Sequence, residues 1–194
     1  PNRTNKFSGI FIEKHAKALA KECRVAVLYV GADGNLKTKY DLDVQNENNI
    51  TTVRVYYQNN DVSTSLVGKA IKFYRYLYAA YLGLKCIKAE FGKPNLVHVN
   101  VLTRPGIIAL LLYKLNGIPY IISEHWSGYL LTDGSYKGSV KKMITRVIVK
   151  NAKAITAVSQ KLAESMKSHQ LRGAYTIIPN CVELEQLPAR STSE

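Results

Sequence analysis

The chain has 194 residues, 46% of them hydrophobic, and a formal net charge of +13, enough to bury one sizeable core and within the usual range of a single domain. No apolar run reaches the roughly 18 residues of a membrane-spanning helix, and the opening Pro1-Asn2-Arg3-Thr4-Asn5-Lys6 lacks a signal peptide's apolar segment, so a soluble, cytoplasmic protein is expected. Cys23, Cys86 and Cys181 are odd in number and far apart, which excludes a disulfide framework and reads as small core residues in a reducing compartment, with no metal expected.

The charge is uneven along the chain. Residues 65–180 hold 17 Lys and Arg against 4 Asp and Glu, so +13 sits on that segment alone. Such a field favours nucleic acid, anionic lipid or phosphorylated substrates; its alternative is a basic surface that is merely solvated.

In chain order, residues 10–22 read as a surface helix, with Ile10, Ala16, Leu19 and Ala20 opposite Lys14, Lys17 and Lys21. Residues 25–30 and 52–57 read as strands, with a turn at 31–35 and an acidic, Asn-rich connection between them. Leu66, Ala70, Phe73, Leu77, Ala80, Leu84, Ile87 and Phe91 recur at steps of three and four, which predicts one long helix ending at Gly92 and Pro94. Tyr74, Tyr76, Tyr78 and Tyr81 decorate it, either as core and shoulder packing or as a surface for bases or a membrane interface.

The stretch from Pro94 to Gly128 is the most informative. Two short apolar runs, Leu96-Val97-His98-Val99-Asn100-Val101 and one ending in Ser123-Glu124-His125-Trp126-Ser127-Gly128, flank a helix that Thr103 caps, Pro105 starts and Gly117 closes. Buried parallel strands that end in polar residues put them in the crevice at the sheet's carboxyl edge, where open α/β folds bind ligands. A Gly- and Asp-punctuated loop at 129–138 is long enough to lie over that crevice. Next, Val140, Met143, Ile144, Val147 and Ile148 form the expected buried face of a helix with Lys142, Arg146 and Lys150 on another side, a pattern that suits anionic lipid or plain solvation. Residues 154–158 make a strand, Ser159 caps a helix at 160–168, and residues 175–178 make the last strand before Pro179-Asn180. Alternating strands and helices give an α/β fold with a doubly wound, mainly parallel sheet, its first strand missing. Residues 1–180 form the domain, and the polar residues 181–194 begin a linker; the chain reads as cut at both ends.

Taken in order, Phe7-Ser8-Gly9-Ile10-Phe11, Leu96-Val97-His98-Val99-Asn100, Ile118-Pro119-Tyr120-Ile121-Ile122-Ser123-Glu124-His125, Ala154-Ile155-Thr156-Ala157-Val158-Ser159 and Ile177-Ile178-Pro179-Asn180 resemble the amino-terminal half of family 4 glycosyltransferases. The resemblance implies a Rossmann-like half of the two-domain GT-B architecture. It implies an acceptor-binding domain of an enzyme that moves a sugar from a nucleotide sugar with retention of configuration, onto a cell-surface polysaccharide or lipid-linked acceptor. The donor-binding domain, with its closely spaced glutamate pair, is absent from this chain. Cys181 departs from the family, which commonly has Gly after Pro-Asn.

The resemblance further implies that Gly9 lies in a glycine loop approaching the donor's phosphates, since a residue without Cβ at a helix start can come close to anionic oxygen. It implies that His125 contacts the transferred sugar or its phosphate, for which an imidazole donor suits a developing negative charge. Glu124 is expected either to orient an acceptor hydroxyl, as a base, or to cap or pair structurally. Trp126 offers a flat face to a sugar ring or an anchor for the following loop. Asn100 and Arg104 are expected acceptor contacts, Arg104 belonging alternatively to the first turn of its helix. His98 reads as a hydrogen-bonded core residue, and His15 and His169 as helix-surface positions. The expected partners are a nucleotide sugar as co-substrate without a metal cofactor, a saccharide or lipid-linked acceptor, and an anionic membrane at its inner face, without nucleic acid. Two other readings stay open: a GT-B-fold sugar-nucleotide epimerase, and a basic Rossmann-like module for nucleic acid that has charge as its only support.

Overall fold

A computed structural model describes residue 3 and residues 9–60 and 62–180; the expected Phe7-Ser8 lead-in, Cys181 and the linker at 181–194 lie outside the described residues. The first part runs α1 (Ile10–Leu19), β1 (Val25–Ala32), β2 (Tyr40–Glu47), β3 (Ile50–Tyr57) and α2 (Leu66–Phe91). The second runs β4 (Val97–Asn100), α3 (Thr103–Asn116), β5 (Tyr120–Glu124), α4 (Ser139–Asn151), β6 (Ala154–Ala157), α5 (Gln160–Ser168) and β7 (Tyr175–Ile177). Ser159 caps α5 as expected, its Oγ accepting from Leu162 N at 3.2 Å, and Gly117 ends α3 in the left-handed conformation at φ +68°, where a residue without Cβ is favoured.

The strands form two sheets, a three-stranded one in the order β1-β3-β2 and a four-stranded one in the order β4-β5-β6-β7. All pairs are parallel except β2 with β3. Doubly wound sheets take the order 3-2-1-4-5-6. Here the neighbours β3-β1 match the 3-2 part of that series and β4-β5-β6 its 4-5-6 part, in two separate sheets. No described strand joins the two sheets. The Asn-rich connection is in fact strand β2, a hairpin whose turn residues Asn48 and Asn49 have φ of +51° and +62°. Leu42 and Val44 alternate with its polar residues but remain about 40% exposed, so the pattern carried little apolar signal.

The core also departs from expectation. In α2 the buried residues are Gly68, Tyr76, Ala79, Ala80 and Gly83, whereas Leu66 of the expected apolar stripe is 85% exposed. The reason is close approach: a Cβ on Gly83 would clash with Leu28 Cδ1 and stand 3.1 Å from Val55 Cγ2. A helix this close to its sheet must present small residues there, which turns the large ones outward. In α4 the buried residues are Thr145, Ile148 and Val149, while Val140, Met143 and Val147 of the expected buried face are exposed. Cys23 is exposed as well and Cys86 is half-buried, both as free thiols, so Cys23 is not a core residue. None of the described helices is long and apolar enough to cross a membrane.

Replacing Gly83 with Leu is expected to cost roughly 1–3 kcal/mol through overpacking, read as a lowered midpoint in denaturant unfolding at unchanged slope.

Candidate functional site

Side chains alternate across a strand, and this divides the carboxyl edge of the four-stranded sheet into two sides. On one side Val99, Leu102 and Ile122 pack with Ala109 of α3 in the main core. On the other a polar ladder crosses three strands: His98 Nε2 lies 2.6 Å from Ser123 Oγ, which lies 2.6 Å from Thr156 Oγ1. His98 is thus the hydrogen-bonded core residue that its mid-strand position suggests. Asn100 is paired with Ser123 in the β4–β5 register and shares the ladder's side.

His125 follows directly after β5 on that same side. The start of α1 covers it: the Phe11 ring lies 4.2 Å from the imidazole and the His15 ring 5.7 Å away. His15 is therefore a site neighbour, which corrects its assignment to the helix surface. Gly9 immediately precedes α1 at φ +75°, and its carbonyl accepts from Ile12 N at 2.9 Å. A Cβ there would meet Ile12 Cδ1 only at an ordinary 3.5 Å, so glycine is favoured by its backbone conformation and not by crowding. The fold thus brings the amino terminus of α1 and the end of β5 together.

Neither ring nitrogen of His125 has a hydrogen-bond partner among the described residues, and each exposes less than 1 Å². Asn100 Oδ1 is buried and unpartnered in the same way. Burial pushes the His125 pKa below its ordinary 6.5 and the nearby His15 adds to this, whereas the Asn180 side chain after β7, within reach of the imidazole but outside hydrogen-bonding geometry, pulls it upward, and His98 lowers it again. His98 is lowered too, by burial and then by His15. Both shifts favour the neutral imidazole at His98 and His125.

Glu124 points the other way and is 0% exposed. Its Oε2 accepts from Leu102 N at 2.9 Å and from Tyr129 Oη at 3.2 Å. Its Oε1 accepts from His125 N and Trp126 N, both at 2.9 Å. Burial pushes its pKa up, against the opposing pull of the Leu102, Trp126 and His125 amides and of Tyr129. A carboxylate so enclosed reaches no acceptor hydroxyl, so the expectation of a base at this position gives way to a positioning role. It ties the end of β4 to the turn after β5. Between them Val101 sits at φ +66°, a left-handed conformation that a β-branched residue strongly resists.

Trp126 packs edge-on against Tyr129 at 5.1 Å, takes Lys141 Nζ over its face at 4.3 Å, and would collide with any Cβ on Gly128. It anchors the loop, the second of its two expected roles. The loop is no free cover, because Tyr129 and Tyr136 are buried in the core. His169, expected on a helix surface, stands 2.9 Å from the Tyr129 carbonyl through Nε2 and edge-on to Tyr136. Arg104 lies in the first turn of α3, its Nη1 donating to Tyr57 Oη at 3.4 Å and its guanidinium 5.7 Å from the Tyr76 ring. It borders a groove of about 390 Å³ with Thr103, Ile107, Val140, Lys141 and Ile144, away from the polar ladder. A second groove, of about 720 Å³, lies at the amino edge of the three-stranded sheet, around Asn48, Asn49 and Arg24. Neither groove is lined by Gly9, Asn100 or His125. No described group of three or more His, Cys, Asp and Glu is arranged to hold a metal ion.

Sequence reasoning missed Phe11 and His15 as neighbours of His125, although their four-residue spacing puts them on one face of α1. It also missed Tyr129 as the fourth donor to Glu124, which no local pattern announces.

The parallel four-stranded sheet flanked by helices, with polar residues gathered at its carboxyl edge, is a Rossmann-like half of the kind from which the GT-B fold is built. The sequence model of Glycosyltransferase Family 4 matches residues 8–186, and the chain belongs to that family. A search of curated proteins found no match.

Replacing Glu124 with Gln turns a donor toward donors, and a loss of roughly 2–3 kcal/mol is expected in equilibrium unfolding, with the near-ultraviolet dichroism of Trp126 altered. The pH dependence follows from His98 and His125. Both are depressed in the fold, so between their folded pKa values and 6.5 the unfolded chain binds more protons. Stability is full above about pH 6.5 and falls as the pH drops. Denaturant midpoints taken from neutral pH down to about pH 5 check this, and His98→Asn with His125→Gln flattens the acid limb.

Proposed function

We propose that this chain is the acceptor-side half of a retaining glycosyltransferase that moves a sugar from a nucleotide sugar to a saccharide or lipid-linked acceptor in cell-surface polysaccharide or glycolipid synthesis. Family membership supports the transferase class, and the single observation that supports the site is His125. Burial favours its neutral form, and both of its nitrogens lack partners beneath α1. Leaving a buried polar atom unpaired costs about 1–3 kcal/mol, so a ligand oxygen that takes up this N–H gains more than one meeting a solvated donor. Catalysis needs this kind of differential interaction.

In this reading a partner domain carries the donor's nucleotide pocket, and closure brings the donor's phosphates toward Gly9 and His125. The imidazole N–H meets negative charge as it develops on the leaving group, with fixed donors aimed in advance. Phe11 must swing off the ring for contact. Asn100 Oδ1 accepts from a sugar hydroxyl. Glu124 acts through others, setting the backbone that aims His125, and Trp126 holds the turn behind it. Arg104, with Lys141 across the α3–α4 groove, offers two cations to a phosphorylated acceptor. Such an acceptor is met at the inner face of the membrane by a cytoplasmic protein.

Transfer is measured with the whole protein, nucleotide sugars and candidate acceptors. His125→Gln is expected to lower kcat about 100-fold or more, with KM and melting temperature little changed. Unimpaired transfer by that variant, or epimerisation of the donor with no acceptor present, would overturn this reading.

A further inference from the structure

The backs of α2, α3 and α4 form one continuous layer. α2 lies on β1 and β3. α3 joins it through Arg104 on Tyr76 and through Ile108, which packs on the cluster around Tyr76 and Ala79. α4 packs along α3, with Ile148 against Gly106. α3 covers the Val99 and Ile122 side of the four-stranded sheet, whereas α1 covers the His125 side.

Two properties of this layer coincide. First, its three helices carry eleven Lys and Arg against one acidic residue, Glu90, and Glu90 is turned to the sheet, accepting from Thr51 Oγ1 at 3.1 Å. The cations of α3 and α4 have no ion pair among the described residues; several rest on aromatic rings or carbonyls instead, as Lys114 does on Tyr113 and Arg146 on the His169 carbonyl. Second, the layer exposes large apolar side chains in rows. On α2, Val67, Ile71, Tyr74, Tyr78 and Tyr81 follow at helical spacing with exposures of 70, 40, 65, 40 and 56%, a stripe about 21 Å long. On α4, Met143 and Val147 are 59 and 45% exposed.

The two properties together select the partner. Uncompensated cations ask for a dense anionic surface. Exposed aliphatic side chains among them gain nothing from the phosphates of a nucleic acid, but reach the acyl boundary of a bilayer. Tyrosines favour headgroup depth, where the ring is apolar on one side and the hydroxyl stays wet. We infer that the α2–α3–α4 layer is a docking surface for an anionic lipid bilayer, with the α2 tyrosine stripe at headgroup level and the lysines around it on lipid phosphates. The inference rests on the proposed lipid-linked acceptor for its purpose, and it names the surface on which that acceptor is met.

The test is flotation of the whole protein with vesicles of phosphatidylcholine, alone or mixed with phosphatidylglycerol, without nucleotide sugar or acceptor. Binding is expected to the mixed vesicles only, and to weaken as salt is raised. Lys85→Gln with Lys88→Gln, both exposed beside the stripe, lowers partitioning about thirtyfold, at about 1 kcal/mol per cation. Tyr74→Glu with Tyr81→Glu lowers it at any salt concentration. Lys17→Gln with Lys21→Gln, at α1 on the other side, leaves it unchanged. Because the substituted residues are exposed, melting curves should stay close to the parent's, and the two sets of variants must agree. No binding to mixed vesicles, equal binding to neutral ones, indifference to both sets of variants, or a shared loss of RNA binding in place of lipid binding would each overturn the inference. The readout needs no transfer activity, so it stands or falls separately from the His125→Gln assay.

Discussion

One buried carboxylate organises the carboxyl edge of this domain. Glu124 gathers the amides of Leu102, His125 and Trp126 and the hydroxyl of Tyr129. By doing so it fixes how β4 turns into α3 and how β5 turns into the loop that leads to α4. Taking a carboxylate out of water is costly unless its lone pairs are filled, and here four donors fill them. The same bonds hold the backbone of His125, so the ring's position on the far side of the sheet follows from a cluster it does not touch.

The two sides of the edge therefore divide the work. On the α3 side every polar atom of Glu124 is satisfied and the surroundings are core. On the α1 side the polarity is only partly satisfied: His98, Ser123 and Thr156 pair along the ladder, while His125 and Asn100 keep unpaired atoms. Rigid support beneath incompletely paired groups is the arrangement expected where a ligand completes the hydrogen bonding.

Much of the fold was legible in the residues, because its signals are local. Gly117 before Pro119, Ser159 ahead of Gln160, and the β-branched runs at β4, β5 and β6 each mark an element by chemistry that acts within a few positions. What was not legible depends on distance. Apolar periodicity found Leu77, Ala80 and Ile87 of α2 but not its closest contacts, since the sheet comes so close at Gly83 that small residues, weak in any hydrophobic pattern, form them. β2 went unseen because its partner β3 supplies the burial. At the candidate site, motif order pointed to Gly9 and His125, but the choice between base and scaffold for Glu124 was not legible, because it depends on Tyr129 and Leu102 arriving from separate segments.

Val101 gives a lower bound on the grip at this edge. A left-handed β-branched residue costs at least about 1–2 kcal/mol, and the chain accepts that bend only because the next amide reaches a carboxylate oxygen. The corner thus behaves as a loaded hinge, shut by Glu124: whatever loosens that one contact lets the β4–α3 junction relax toward extended geometry, and the strand end beside Asn100 moves with it.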